Sequence, residues 1–106
     1  MEQILLKFYS LRRHEDDAIS SFNRRFARFY YNMPKEVQPL ENAAKIYYAT
    51  AFPPDMSLFL LERKSTTLQQ MFTDCLEVEE NLKMSRKLLD QYNGGEIMDA
   101  YKLVGP

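Results

Sequence analysis

All three glycines of this chain, Gly94, Gly95 and Gly105, fall within its last thirteen residues. Everything before them lacks the residue that tight strand turns and bulges favour. Prolines at 34, 39, 53 and 54 cut that glycine-free stretch into pieces of helical length. The expectation is an all-α fold, a compact bundle of about five helices over residues 1–90. From Asp90 the apolar pattern fades, and residues 91–106 are expected to form a loosely packed tail.

The clearest periodicity lies between Leu11 and Met33, LRRHEDDAISSFNRRFARFYYNM, and is closed by Pro34. Ile19, Phe22, Phe26, Phe29, Tyr30 and Met33 follow at steps of three, four, three, one and three, which places them on one face of a helix. Asn23, Arg24, Arg25, Arg28 and Asn32 are assigned to the opposite face. This second helix is read as starting after Asp16 or Asp17, whose carboxylates can accept bonds from the free amides of a first turn. It ends near Tyr31, because Pro34 disfavours helix at Met33.

The other helices are read the same way. The first spans Glu2 to Leu11, with Ile4, Leu5, Phe8 and Leu11 inward. The third begins at Pro39, with Glu41 in its positive first turn and Leu40, Ala44, Tyr47, Tyr48 and Ala51 inward. The fourth, Pro54 to Arg63, is apolar nearly all round and so is either central or covered by a partner. The fifth opens with a capping box, Thr66-x-x-Gln69, and runs to about Leu89. Its repeating face holds Leu68, Met71, Phe72, Cys75, Val78, Glu79 and Leu82.

At 106 residues the chain is one domain that can bury a core without metals or disulfides. Its longest apolar run, Leu58 to Leu61, is far too short for a bilayer, and Met1–Leu11 carries Glu2 and Lys7, unlike a secretory signal. The lone cysteine, Cys75, cannot form an intramolecular disulfide, and with the lone histidine, His14, it cannot supply the usual zinc ligand set. A reducing, cytoplasmic location is expected, with no metal and no cofactor. Catalytic motifs are missing: there is no G-x-S-x-G, P-loop or H-E-x-x-H, and His14 has no nucleophile at telling spacing. No catalytic residue is therefore assigned and no enzyme is expected. Charge is uneven: residues 1–35 hold seven Lys or Arg against four Asp or Glu, and the remainder seven against eleven. The halves carry +3 and −4, and neither is a nucleic-acid footprint by charge alone.

Two segments together resemble the C-terminal lobe of retroviral and retrotransposon Gag capsids. The family's major homology region runs Q-G-x-x-E into a helix with an aromatic, an Arg and a Phe. Here Asp17 falls at the acidic position, Ile19 and Phe22 at the apolar positions, and Arg25-Phe26 at the Arg-Phe pair, while Arg13 and His14 replace Gln and Gly. Thr67 to Val78, TLQQMFTDCLEV, is similar to the last helix of a lentiviral capsid lobe. The span Leu11 to Met84 also resembles the gag domain of plant Ty3/gypsy elements, through Ser21–Phe26, Ala43–Phe52 and Glu62–Phe72. The likeness covers about three quarters of the chain, and the order and spacing of the motifs carry it.

This resemblance implies a homology-region motif of Arg13, Asp17, Phe22, Arg25 and Phe26. A polar link is expected between the Arg13–Asp17 turn and Arg25. Eight helical residues separate Asp17 from Arg25 by about 12 Å, so a network through backbone amides is favoured over direct pairing. The alternative is that Asp17 simply caps the second helix.

The function implied is a structural module that dimerises and supports a Gag lattice, its dimer face on the third helix: Asn42, Ala43, Ile46, Ala49 and Thr50. The family's bulky apolar anchors align with Asn42 and Ala43, so an isolated homodimer is expected to be weak. Other Gag segments are further candidate partners; a membrane is not. A second expectation is a domesticated Gag-like domain that binds a peptide in a groove between the fourth and first helices. A third is RNA contact through Arg12, Arg24 and Arg28, with Arg13 and Arg25 nearby. With no zinc knuckle here, any RNA binding is expected to lie in other parts of a polyprotein.

Overall fold

The computed structural model describes residues 2–14 and 16–92, apart from the side chain of Glu2. Five helices occur in them and no strand: α1 Glu2–Tyr9, α2 Ile19–Tyr31, α3 Glu41–Thr50, α4 Pro54–Glu62 and α5 Leu68–Tyr92. The tail expected over 91–106 lies outside the described residues from position 93 onward, and Gln91 and Tyr92 still belong to α5.

The core is aromatic. Tyr48 of α3 is fully buried, and its ring centroid lies 5.9 Å from Phe22, 5.2 Å from Phe26, 5.0 Å from Phe52 and 5.0 Å from Phe72. Phe8 attaches α1 to this cluster through Phe26 at 5.1 Å and Tyr47 at 5.8 Å. Such pairs add about 0.5–1.5 kcal/mol each beyond the area they bury. Leu60, Leu68 and Cys75 fill the remainder without measurable exposure.

A phenol this deep needs an acceptor, and Asn23 provides it: the Tyr48 hydroxyl donates to Asn23 Oδ1 across 25 residues of sequence. Asn23 is therefore buried, not on the polar face of α2. It lies four residues after Ile19 and three before Phe26, within the apolar stripe. Burial pushes the Tyr48 phenol far above its ordinary range, so the group is a neutral donor.

The helix ends differ from the sequence reading for local reasons. α1 stops at Tyr9 rather than Leu11, and the Arg12 guanidinium satisfies the freed Tyr9 and Leu11 carbonyls at 3.0 and 2.8 Å. α3 begins at Glu41 rather than Pro39. The Pro39 carbonyl accepts from Tyr30 Oη at 2.7 Å, and Leu40 is extended and 83% exposed instead of inward.

The start of α5 is capped from elsewhere. The Leu68 amide donates to a Glu41 carboxylate oxygen of α3 at 2.7 Å, and the Gln70 amide donates to Thr67 Oγ1 at 3.0 Å. Thr67, not Thr66, is thus the local cap, and a tertiary carboxylate does the work assigned to Gln69. The turn between α4 and α5 places Lys64 at φ 51°, a left-handed position usually given to glycine. Asp74, buried on α5, holds that turn by accepting from Ser65 Oγ at 2.6 Å and Gln70 Nε2 at 3.0 Å.

Two expectations follow from this core. Phe26→Ala is expected to destabilise the fold by about 3–5 kcal/mol in urea unfolding; a loss below about 1 kcal/mol would contradict the central place of Phe26. Burial pushes the Cys75 thiol up to about 11. Its reaction with a thiol reagent at about pH 8 is therefore expected to proceed only through unfolding. Labelling at the rate of a free thiol would show an accessible Cys75.

Candidate functional site

The segment from Leu11 to Ala18 joins α1 to α2, and its polar groups organise the bundle around it. The Arg13 amide donates to the Ala51 carbonyl at the end of α3 at 3.0 Å. The Arg13 guanidinium donates through Nε to the Asp17 carbonyl at 2.9 Å and through an Nη to Glu79 of α5 at 2.9 Å. Both side chains of that ion pair are largely shielded, at 16% and 22% exposure. One residue thereby ties the turn and α5 together through its side chain and the end of α3 through its backbone amide.

Asp17 and Arg25 pair directly at 3.2 Å. The sequence reading favoured an indirect link because it ran the helix through Asp17. In the structure α2 starts at Ile19 with Ala18 as its N-terminal flanking residue, and no side chain caps it. Asp17 thus lies outside the helix, free of the 12 Å spacing that a helix would impose. Its carboxylate turns back to accept the His14 amide at 3.3 Å as well as Arg25. Asp17 does not cap α2. The expected backbone network is present too: the Asp17 amide donates to the His14 carbonyl at 2.9 Å, and Arg25 reaches the Arg12 carbonyl at 3.4 Å. Phe22 and Phe26 of the same motif are buried, and the Arg25 guanidinium lies over the Phe22 ring at 5.2 Å.

The proposed dimer face is partly rearranged. Asn42, Ile46 and Thr50 are exposed on α3, and Ala43 is half-buried. Ala49 is fully buried beside Tyr48 and belongs to the core, because α4 and α5 both pack on α3. Next to the exposed part of α3 lies a depression of about 240 Å³, lined in part by Asn42, Ile46, Leu60 and Leu61. Ile46 is 53% exposed, Leu61 42% and Leu58, one turn earlier on α4, 56%. The apolar exposure therefore runs from α3 onto α4.

The groove expected between the fourth and first helices is not formed in that way. α4 shares its second depression with α5, through Phe59, Val78 and Leu82, whereas α1 shares one with α2, through Ile4, Phe29 and Met33. Arg12, Arg24 and Arg28 are all exposed. The acidic run of α5 is not a cation site: Lys83 pairs with Glu79 at 3.6 Å and Glu80 at 3.9 Å, and Arg63 with Glu77 at 2.7 Å. Among the described residues no cluster of metal-ligating side chains occurs, and no helix is long and apolar enough to cross a membrane. No protein-family model, curated protein or solved structure matches the chain.

Sequence reasoning missed Asn23, Glu41 and Asp74. Asn23 and Asp74 were detectable, since each lies three or four residues from buried apolar neighbours on its own helix. Glu41 was not, because its partner amide is 27 residues away.

The carboxylates of this network make acid stability a readout. The His14 amide, and after it the Arg25 guanidinium, hold the Asp17 carboxyl below the usual carboxylate range; Ser65, Gln70 and Arg63 do the same for Asp74. A depressed folded value means that the contribution is complete above the ordinary value of about 3.9 and is lost as pH falls through the lower folded value. The urea midpoint is expected to drop below about pH 4, and Asp17→Asn with Asp74→Asn is expected to flatten that limb. An acid limb unchanged in the double variant would show that these two carboxylates do not govern it.

Proposed function

We propose that this chain is a structural self-assembly module of a retrotransposon Gag: a capsid lobe that pairs weakly through α3 and supports a particle lattice in the cytoplasm. The observation that carries the reading is the apolar exposure of Ile46 and Leu61 around one depression, with Leu58 one turn before Leu61, all within the stretch that resembles Gag. A two-fold contact sets the same patch against itself, so Ile46 of one copy would lie near Ile46 of the next. Three exposed side chains fall well short of the roughly 800 Å² per partner of a standard stable interface. A weak contact suits a lattice, where many such contacts act together. The Arg13–Asp17–Arg25 ties suit it as well, because they hold α3 and α5 rigid while α3 presents its outer face. In this reading the module has no catalytic role, and its partners are copies of itself and other Gag segments.

A second reading, a domesticated Gag-like domain that binds a peptide, draws on one feature. The groove of about 430 Å³ between α4 and α5, floored by Phe59, Val78 and Leu82, has the form of a helical docking groove.

Sedimentation over a concentration series tests the assembly reading. The wild-type chain is expected to shift reversibly towards a dimer. Ile46→Glu, which sets like charges across the two-fold axis, is expected to abolish the shift, and Asn42→Leu, which adds an apolar anchor, to strengthen it. Both positions are exposed, so the helical dichroism spectrum is expected to stay unchanged. If Ile46→Glu associates as well as the wild type, α3 is not the interface.

A further inference from the structure

The outer face of α2 carries a line of arginines. Arg24, Arg25 and Arg28 line one depression of about 260 Å³ together with Ser21. Arg25 and Arg28 also line a second depression of about 370 Å³, whose remaining wall is largely apolar: Ile4, Phe29, Met33 and Pro34. Two arginines are thus shared between a cationic hollow and an apolar one. Arg25 is held in place by Asp17 and by the Arg12 carbonyl. The guanidinium groups of Arg24 and Arg28 make no hydrogen bond or ion pair among the described residues. They sit four residues apart on one helix, a like-charge spacing that destabilises a helix unless an anion lies between them.

The geometry points to a binding site for single-stranded nucleic acid, with backbone phosphates in the hollow of Arg24 and Arg28 and an unstacked base against the half-buried Phe29. The assignment is independent of the self-assembly reading. It places nucleic-acid contact in this domain, where the sequence reading expected it elsewhere. Three observations favour this ligand over an acidic peptide. Every cation of the patch is an arginine, whose planar fork pairs bidentately with phosphate and stacks on bases. The alternation of a cationic and an apolar hollow matches the alternation of phosphate and base along a strand. An aromatic platform beside basic side chains is the usual means of holding a single strand without reading its sequence. A duplex is disfavoured, because its bases are stacked and cannot reach a hollow on a convex helix face.

The test is the binding of a short fluorescent single-stranded RNA to the full chain, read by anisotropy between about 50 and 200 mM salt. Affinity is expected to fall with salt, with a log–log slope of about −0.7 for each phosphate contact. Arg24→Ala with Arg28→Ala is expected to reduce that slope by about 1.4. Lys83→Ala with Lys87→Ala, an equal loss of charge on α5, is expected to leave it unchanged. An abasic strand of the same length is expected to bind at least about fivefold more weakly. The proposal is overturned by any of three results: no binding at the lowest salt, equal loss in the two double variants, or equal binding of the abasic strand. Displacement of the strand by polyglutamate at matched charge would overturn it too, and would make the patch an acidic-peptide surface.

Discussion

The bundle depends on one buried hydrogen bond. Tyr48 sits where α2, α3 and α5 meet, and Asn23 accepts the hydrogen bond that its buried phenol needs. An unpartnered hydroxyl at that depth would cost about 1–3 kcal/mol, a large fraction of the stability of a small domain. The bond also has direction, which ring packing lacks. Phe22, Phe26, Phe52 and Phe72 surround the Tyr48 ring, and the hydrogen bond sets its hydroxyl on Asn23 of α2. α2 is thereby fixed in rotation as well as position, and its outer arginines face away from the core.

Outside the core, the connection before α2 repeats this logic with charges. Arg13 joins its own turn to α3 through a backbone amide and to α5 through Glu79. Asp17 folds the turn back on Arg25. Glu41 closes the start of α5 from α3, and Asp74 closes the turn that precedes it. Each of these links spans two elements, so the helices are tied at their ends while the aromatic cluster holds their middles. Among the surfaces left exposed are the side of α3 and α4 that carries Ile46, Leu58 and Leu61, the groove between α4 and α5, and the arginine face of α2.

Much of this was legible in the sequence, and the failures have a few local causes. The glycine-free stretch and its prolines give five helices, and spacing alone puts Phe22, Phe26, Leu68, Phe72 and Cys75 inside. Spacing also puts Glu79 on the inner face of α5, where it meets Arg13. Errors arose where residue type was allowed to override position. Asn23 was sent outward because it is polar, although its spacing from Ile19 and Phe26 is that of a core residue. Leu40 was sent inward because it is apolar, although it precedes the helix and is exposed. Alanine carries little signal either way, so Ala49 was set on an outer face that it does not reach. The Asp17–Arg25 pair was discounted because a helix boundary was misplaced by about two residues, an ordinary uncertainty for helix ends.

The free side of α3 and α4 is where the account of assembly stands or falls. Ile46, Leu58 and Leu61 are exposed there, and the proposed self-assembly would cover them with a second copy. The most direct measurement is the backbone amide spectrum of the ¹⁵N-labelled chain, recorded as its concentration is raised. The account predicts progressive shifts at Asn42, Ala43, Ile46, Leu58 and Leu61, with the buried amides around Tyr48 unmoved. A spectrum independent of concentration, or shifts confined to α1 and α2, would contradict it.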